Sequence, residues 1–291
     1  MAHYAKTAGP AFAAGDRARL ASIEDGPMLT RSLARYKDAA SLPAKDRSAL
    51  TPPPLNATAA RLYIPRLPAA RPFQSNGTPH WFAAAFPLDK GPAGASRLAV
   101  FAETPNKQWK AVSLTLLTQP LPAITLDSSG LATAVNPNGT DLAATTTQLR
   151  DATTDNYATG GTIGGRTFTP TPASQRQITT SRAVAKSYAG NARTAFRGTD
   201  TTFAAYALKT AQGALVLYTH EHVQEVTVTK PGMGIVPSAR DRAWLGKAPQ
   251  PYLSYTFQCH DAALVPYGSG PSRLLDYTCA RTDVTGTRTT V

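Results

Sequence analysis

Two histidines and two cysteines have the spacing most suited to chemistry in this chain. His220 and His222 stand two apart in Tyr218-Thr-His-Glu-His-Val-Gln-Glu225. On an extended strand, positions 218, 220, 222 and 224 share one face. Two imidazoles on that face could reach one metal ion together, with a third ligand such as His80 or His260 arriving from another element. Glu221 and Glu225 point the other way. The competing reading is the polar face of a half-exposed strand. That is the expectation adopted here, with no bound metal and no cofactor. Tyr218 shares the face, and Trp81 and Trp109 sit in other strand-like runs, as do Phe82, Tyr206, Tyr252 and Tyr255. These aromatics suit core packing. As ligand-binding residues, His220, His222, Tyr218, Trp81 and Trp109 would form a stacking wall around a pocket mouth.

Cys259 and Cys279 each close a strand-like run, Tyr252-Leu-Ser-Tyr-Thr-Phe-Gln-Cys and Leu274-Leu-Asp-Tyr-Thr-Cys. A bend, Pro266-Tyr-Gly-Ser-Gly-Pro271, separates them. Adjacent antiparallel strands would bring the sulfurs within bonding reach, so a disulfide is expected. Such a bond persists in an oxidising, extracytoplasmic compartment. His260 follows Cys259 directly but faces the opposite side of a strand, which leaves it badly placed to activate a thiol. The tail from Thr282 onwards is Thr-rich and offers no apolar anchor.

No catalytic residue is assigned. Gly160–Gly165 lacks the Gly-Lys-Ser/Thr ending of a phosphate loop and reads as a mobile helix-to-strand connector. No Gly-x-Ser-x-Gly elbow occurs. Asp261 and Asp276 are carboxylates without a partner that sequence can name. The sequons at Asn56, Asn76 and Asn138 read as turn residues. The chain carries 30 basic and 18 acidic residues, a net charge of +12. The excess is spread over both halves without a basic tail or stripe, so specific nucleic-acid binding is not expected. A cationic surface suits an envelope protein or an anionic cell-wall polymer as partner. Charged residues make up only 16% of the chain, against roughly 25% in a typical soluble domain. No apolar run approaches the roughly 18 residues of a membrane span. Membrane association is expected only through an anchor outside this chain.

These residues need elements to hold them. Apolar spacing between residues 3 and 38 predicts a long first helix, a break at Gly26, and a second helix of about three turns starting at Pro27. A Pro-rich connector follows at 39–58. Strand-like runs come next at 61–65, 80–86, 97–103 and 109–117, the last two forming a hairpin through Pro105-Asn106-Lys107. The second half repeats the order. Residues 141–157 read as a helix and 173–185 as a helix or an extended segment. Strands at 193–197, 202–209 and 214–230 precede the cysteine pair. The expected fold is therefore α+β, as two tandem modules at 1–128 and 129–291. In each, N-terminal helices would pack on a curved antiparallel sheet. Pro120, Pro122, Ser128-Ser-Gly130 and Pro137 mark the junction.

This order of elements resembles the nuclear-transport-factor-two-like, or cystatin-like, roll. The whole chain resembles a family of actinobacterial exported proteins and lipoproteins built on a domain of unknown function. Three stretches carry the resemblance: Tyr4 to Tyr36 with its Ile23-Glu-Asp-Gly26 break, Leu142–Tyr157 before the Gly-rich loop, and Tyr206-Ala-Leu-Lys-Thr-Ala-Gln-Gly-Ala-Leu-Val-Leu-Tyr218. The resemblance implies a fold and an extracytoplasmic compartment, and it carries over no site residues. The function expected is a non-enzymatic binding or interaction module of the cell envelope. The alternatives are a small-molecule binder or enzyme with a pocket at the open end of one roll, and a structural spacer near the cell wall.

Overall fold

The helices that begin at Arg17, Gly26, Thr146 and Pro172 start where a side chain accepts an orphan backbone N–H group. The computed structural model describes residues 1–47, 50–66, 80–164, 167–188 and 190–287. Helix α1 (Ala2–Ala14) passes through the exposed Pro10 and stops at Gly15, whose φ of 67° is left-handed. A side chain at Gly15 would collide with the Tyr36 ring. Asp16 accepts from the Arg19 N–H and opens α2 (Arg17–Ile23). Asp25 accepts from the Gly26 N–H and opens α3 (Gly26–Ala40). The expected long first helix is thus two short ones. Its break falls at Gly15-Asp16 because a left-handed glycine and an Asp cap meet there. A short α4 (Ala44–Arg47) follows.

Next come β1 (Arg61–Tyr63), β2 (Pro65–Arg66), β3 (Trp81–Pro87), β4 (Ser96–Glu103), β5 (Trp109–Leu117) and β6 (Ala132–Thr133). Helices α5 (Thr146–Ala158) and α6 (Pro172–Ser187) both begin with capping boxes, at Thr145 and Thr171. Residues 173–185 are therefore helical. Then follow β7 (Ala192–Gly198), β8 (Tyr206–Thr210), β9 (Gly213–Val228), α7 (Arg242–Leu245), β10 (Tyr252–Pro266) and β11 (Arg273–Thr287). The Gly-rich loop joins two helices, not a helix to a strand. Asp155 holds it by accepting from Ile163 N (2.9 Å) and Gly164 N (2.6 Å). Gly165 and the sequon at Asn76 lie outside the described residues. The C-terminal segment is also anchored, since β11 runs on to Thr287 and buries Val284.

The fold is α+β. One antiparallel sheet has the order β1-β3-β4-β5. A second large sheet has the order β11-β10-β9-β7, with β8 on the same side of the long β9 as β7, and β2 and β6 form a small parallel pair. Helices α1–α3 cover the first sheet with Tyr4, Ala8, Ile23 and Met28 against Ala84, Phe86, Ala99 and Phe101. Helices α5 and α6 cover the second with Leu149, Ala152 and Ala173 against Val216, Tyr218, Ala263 and Val265. The remaining faces meet each other. Trp81, Leu98, Val100 and Leu117 of the first sheet share a core with Tyr206, Leu208, Leu217, Leu264 and Leu275 of the second. Both sheets are thus buried on two faces.

A polar seam joins them. Strand β5 is an edge of its sheet, and an edge presents unpaired N–H groups. Here the second sheet's side chains accept them: Leu114 N donates to His260 Nδ1 (2.9 Å), Leu116 N to Thr278 Oγ1 (2.9 Å) and Thr118 N to Asp276 Oδ2 (2.8 Å). The Thr118 hydroxyl also donates to Asp276 Oδ2 (2.6 Å). Asp276 is almost fully buried and pairs with Arg176 of α6 as well. Asp276→Ala would strand these donors, and the expected loss is about 2 kcal/mol or more. Asp276→Asn keeps an acceptor and should lose less. Urea unfolding of the three proteins is the check; a loss below about 0.5 kcal/mol in the alanine variant would show that the seam does not hold the sheets.

Candidate functional site

The register of the second sheet assembles the histidines and cysteines. Cys259 of β10 lies opposite His220 of β9 on one side and Cys279 of β11 on the other. His222 lies opposite Phe257. Alternation puts His220, His222, Cys259 and Asp261 on the face that α5 and α6 cover. Cys259 and Cys279 form a disulfide across the strands. Closing a loop of this size stabilises by about 3 kcal/mol.

Asp261 Oδ2 lies 2.6 Å from His220 Nδ1, and His220 Nε2 lies 3.1 Å from His222 Nδ1. With Asp261 ionised, His220 Nδ1–H donates to it. His220 Nε2 then accepts from His222 Nδ1–H, which leaves one imidazole lone pair, on His222 Nε2. The rings of the two histidines stack at 5.2 Å. Tyr157 of α5 stacks on His222 at 4.4 Å, and Phe257 does so at 5.3 Å. The histidines are 1% and 3% exposed. The half-exposed strand face expected from sequence is therefore closed, because β9 is paired along both edges and α5 lies over it.

Metal-ligand atoms of His220, His222 and Cys259 all fall within 4.8 Å of one another. Their chemistry is committed elsewhere. The Cys259 sulfur is bonded to Cys279, and His220 uses both nitrogens. A metal would require reduction of the disulfide and loss of the His–His hydrogen bond. The other histidines do not join. His80 pairs with Glu103 at 2.6 Å, and His260 sits on the opposite sheet face in the seam.

The aromatic candidates do not converge on a pocket. Tyr218 is buried, and its hydroxyl bonds Thr153 Oγ1 at 2.9 Å. Trp81 packs on Tyr206 at 5.1 Å in the core between the sheets. Trp109 is 45% exposed at the start of β5 and leans on Phe82. A concavity of about 440 Å³ is lined by Tyr188, Gln224, Arg240, Tyr255, Phe257 and Cys279 among others. Phe257 stands between it and His222.

Sequence reading missed a buried ion network beside that concavity. Asp38 of α3 accepts from Arg281 Nη2 (2.6 Å) and Trp244 Nε1 (2.9 Å) and pairs with Arg240. Arg281 also pairs with Asp241. The signal was present: Arg31 and Asp38 fall at heptad spacing on the same stripe of α3 as Met28, which marks charges on a buried face.

These features define an α+β protein of two face-packed sheets, each backed by helices, with one cross-strand disulfide and a sealed Asp–His–His cluster. The chain belongs to the family described as "Domain of unknown function (DUF8094)", which matches residues 1–286. It is 46% identical over 292 residues to an uncharacterized lipoprotein of Streptomyces coelicolor, covering 98% of this chain and 80% of that protein. No solved structure matches it. Among the described residues no helix is long and apolar enough to cross a membrane.

Two outcomes follow from the cluster. Chelator-free protein with its disulfide intact should hold no zinc by elemental analysis; one equivalent, lost in His222→Ala, would refute the hydrogen-bonded arrangement. The second concerns pH. Burial pushes His222 and His260 well below the usual 6.5, with His220 adding to the first and Arg31 to the second. Burial raises Glu24 from 4.5 to about 7. Below about pH 6.5 the unfolded chain binds more protons than the folded one at the two histidines and fewer at Glu24. The two histidines outweigh the single acid, so stability falls as pH falls below about 6.5. Glu24→Gln removes the opposing group and should steepen that fall. Urea unfolding at pH 5, 6 and 7 reads it, and a slope that the variant leaves unchanged would contradict the assignment.

Proposed function

We propose that this chain is a non-enzymatic, extracytoplasmic binding module of the cell envelope. It is made of two tandem α+β modules, residues 1–128 and 129–291, each similar to a cystatin-like roll. One observation carries the reading. The constellation with the residue types of a catalyst, Asp261–His220–His222, is closed over by Tyr157 and Phe257 and satisfied internally. An arrangement of that kind stabilises a fold and does not receive a substrate. Export and anchoring are supported by the disulfide and by the lipoprotein relative. The net charge of +12 suits an anionic polymer or an acidic envelope protein.

A second reading, a small-molecule binder, is favoured by the concavity of about 440 Å³ with its aromatic and arginine lining. Tagged protein incubated with isolated cell envelopes tests the first reading. Retention on the envelope at low salt, released as salt rises, is expected for a charge-led partner. No retention at any salt, or substrate turnover that disappears in His222→Ala, would sink it.

A further inference from the structure

Arg31 is a buried charge with two unpartnered nitrogens. It lies on α3, is 4% exposed, and leaves Nε and Nη1 without a hydrogen-bond partner. It forms no ion pair among the described residues; Glu24 and Asp261 act on it only from a distance. Burial lowers it to about 10, so it is charged at neutral pH. A buried charge without a partner is strongly unfavourable, and in proteins such groups are paired or neutralised.

Arg31 faces a cavity of about 190 Å³. Two more guanidinium groups, of Arg35 and Arg97, line it, and among the described residues no carboxylate does. Arg35 donates to the Leu50 carbonyl, and Arg97 of β4 has no ionic partner among the described residues. Ser32, which bonds Glu24, and Thr278 complete the polar lining. The Thr278 Oγ1 already accepts from Leu116 N, so its O–H proton remains available to a ligand. Met28, Pro53, Leu114 and Leu116 form apolar walls. Glu24, the nearby acid, is hydrogen-bonded by Ser32 and Tyr4, and its raised value of about 7 keeps it partly neutral near physiological pH. Three cations, a spare hydroxyl donor and an apolar wall, with no acid among the described lining residues, are complementary to one kind of ligand.

We propose that the cavity between α3, β5 and β11 is a binding site for a small organic oxyanion. Its phosphate or carboxylate group would sit against Arg31, Arg35 and Arg97, and a short apolar part against Leu114 and Leu116. The site stands on these residues alone and does not depend on the envelope reading. The occupant supplies the counter-charge that the fold withholds from Arg31. A polymer bearing such groups would present them one at a time.

Calorimetric titration of the full chain with inorganic phosphate and with n-butyrate, at ionic strength fixed with chloride, tests the proposal. Saturable binding of at least one probe is expected, and which one binds identifies the anionic group. Arg97→Gln is partly exposed and should fold normally, with affinity weaker by roughly tenfold. Arg31→Met should abolish binding and melt at a higher temperature than the parent in anion-free buffer, since it removes an unpaired buried charge. Binding of neither probe, or binding of equal strength in parent and Arg97→Gln, would overturn the proposal whatever the fate of Arg31→Met.

Discussion

The architecture depends on how one sheet edge is closed. Strand β5 ends the first sheet, and its outward N–H groups at Leu114, Leu116 and Thr118 need acceptors once they leave water. A further strand would supply carbonyls. This protein instead supplies His260, Thr278 and Asp276 from the face of the second sheet. Each is an obligate contact between distant parts of the chain. The apolar core between the sheets would tolerate sliding, because hydrophobic burial is non-directional. Directed hydrogen bonds to a strand edge do not. The seam therefore fixes the register in which Trp81 meets Tyr206 and Leu98 meets the second sheet.

The same seam places the other buried polar groups. With β11 held against β5, the Cys279 side of β11 faces α6, and the Arg281 guanidinium is delivered to Asp38 on α3. Helix α3 thus touches the second sheet at both ends of its buried stripe, through Asp38 near its C-terminus and through Arg31 beside Thr278. One end is neutralised by a network of two acids and two arginines. The other is not. The contrast within a single helix is what makes the Arg31 cavity informative.

The Asp–His–His cluster shows how residue types mislead when their accessibility is unknown. In open solvent an Asp-oriented imidazole is a general base. Under Tyr157 and beside Phe257 it is a polar plug in an otherwise apolar helix–sheet interface. Its nitrogens are directed at one another and its neighbouring thiol is oxidised. Positive charge, too, is less external than the net value suggests, since Arg31 and Arg281 are buried.

By itself the sequence determined what is local. Asp16, Asp25, Thr145 and Thr171 start helices because their side chains reach N–H groups within three residues. The turn at Pro105-Asn-Lys107 makes a hairpin, and the two cysteines bond because one bend brings their strands together. Alternation correctly grouped His220 and His222 on one face. It could not say whether that face was covered, because burial depends on elements that are not neighbours in sequence. Leu114 and His260 are 146 residues apart, Thr118 and Asp276 are 158 apart, and Tyr157 reaches His222 on β9 from helix α5. Only tertiary structure could scatter Trp81, Trp109 and Tyr218 to three environments, seal the histidines, and leave Arg31 facing a cavity. Backbone preference acts over a few residues, whereas the satisfaction of a buried charge or an edge N–H is decided by whatever the rest of the chain packs against it.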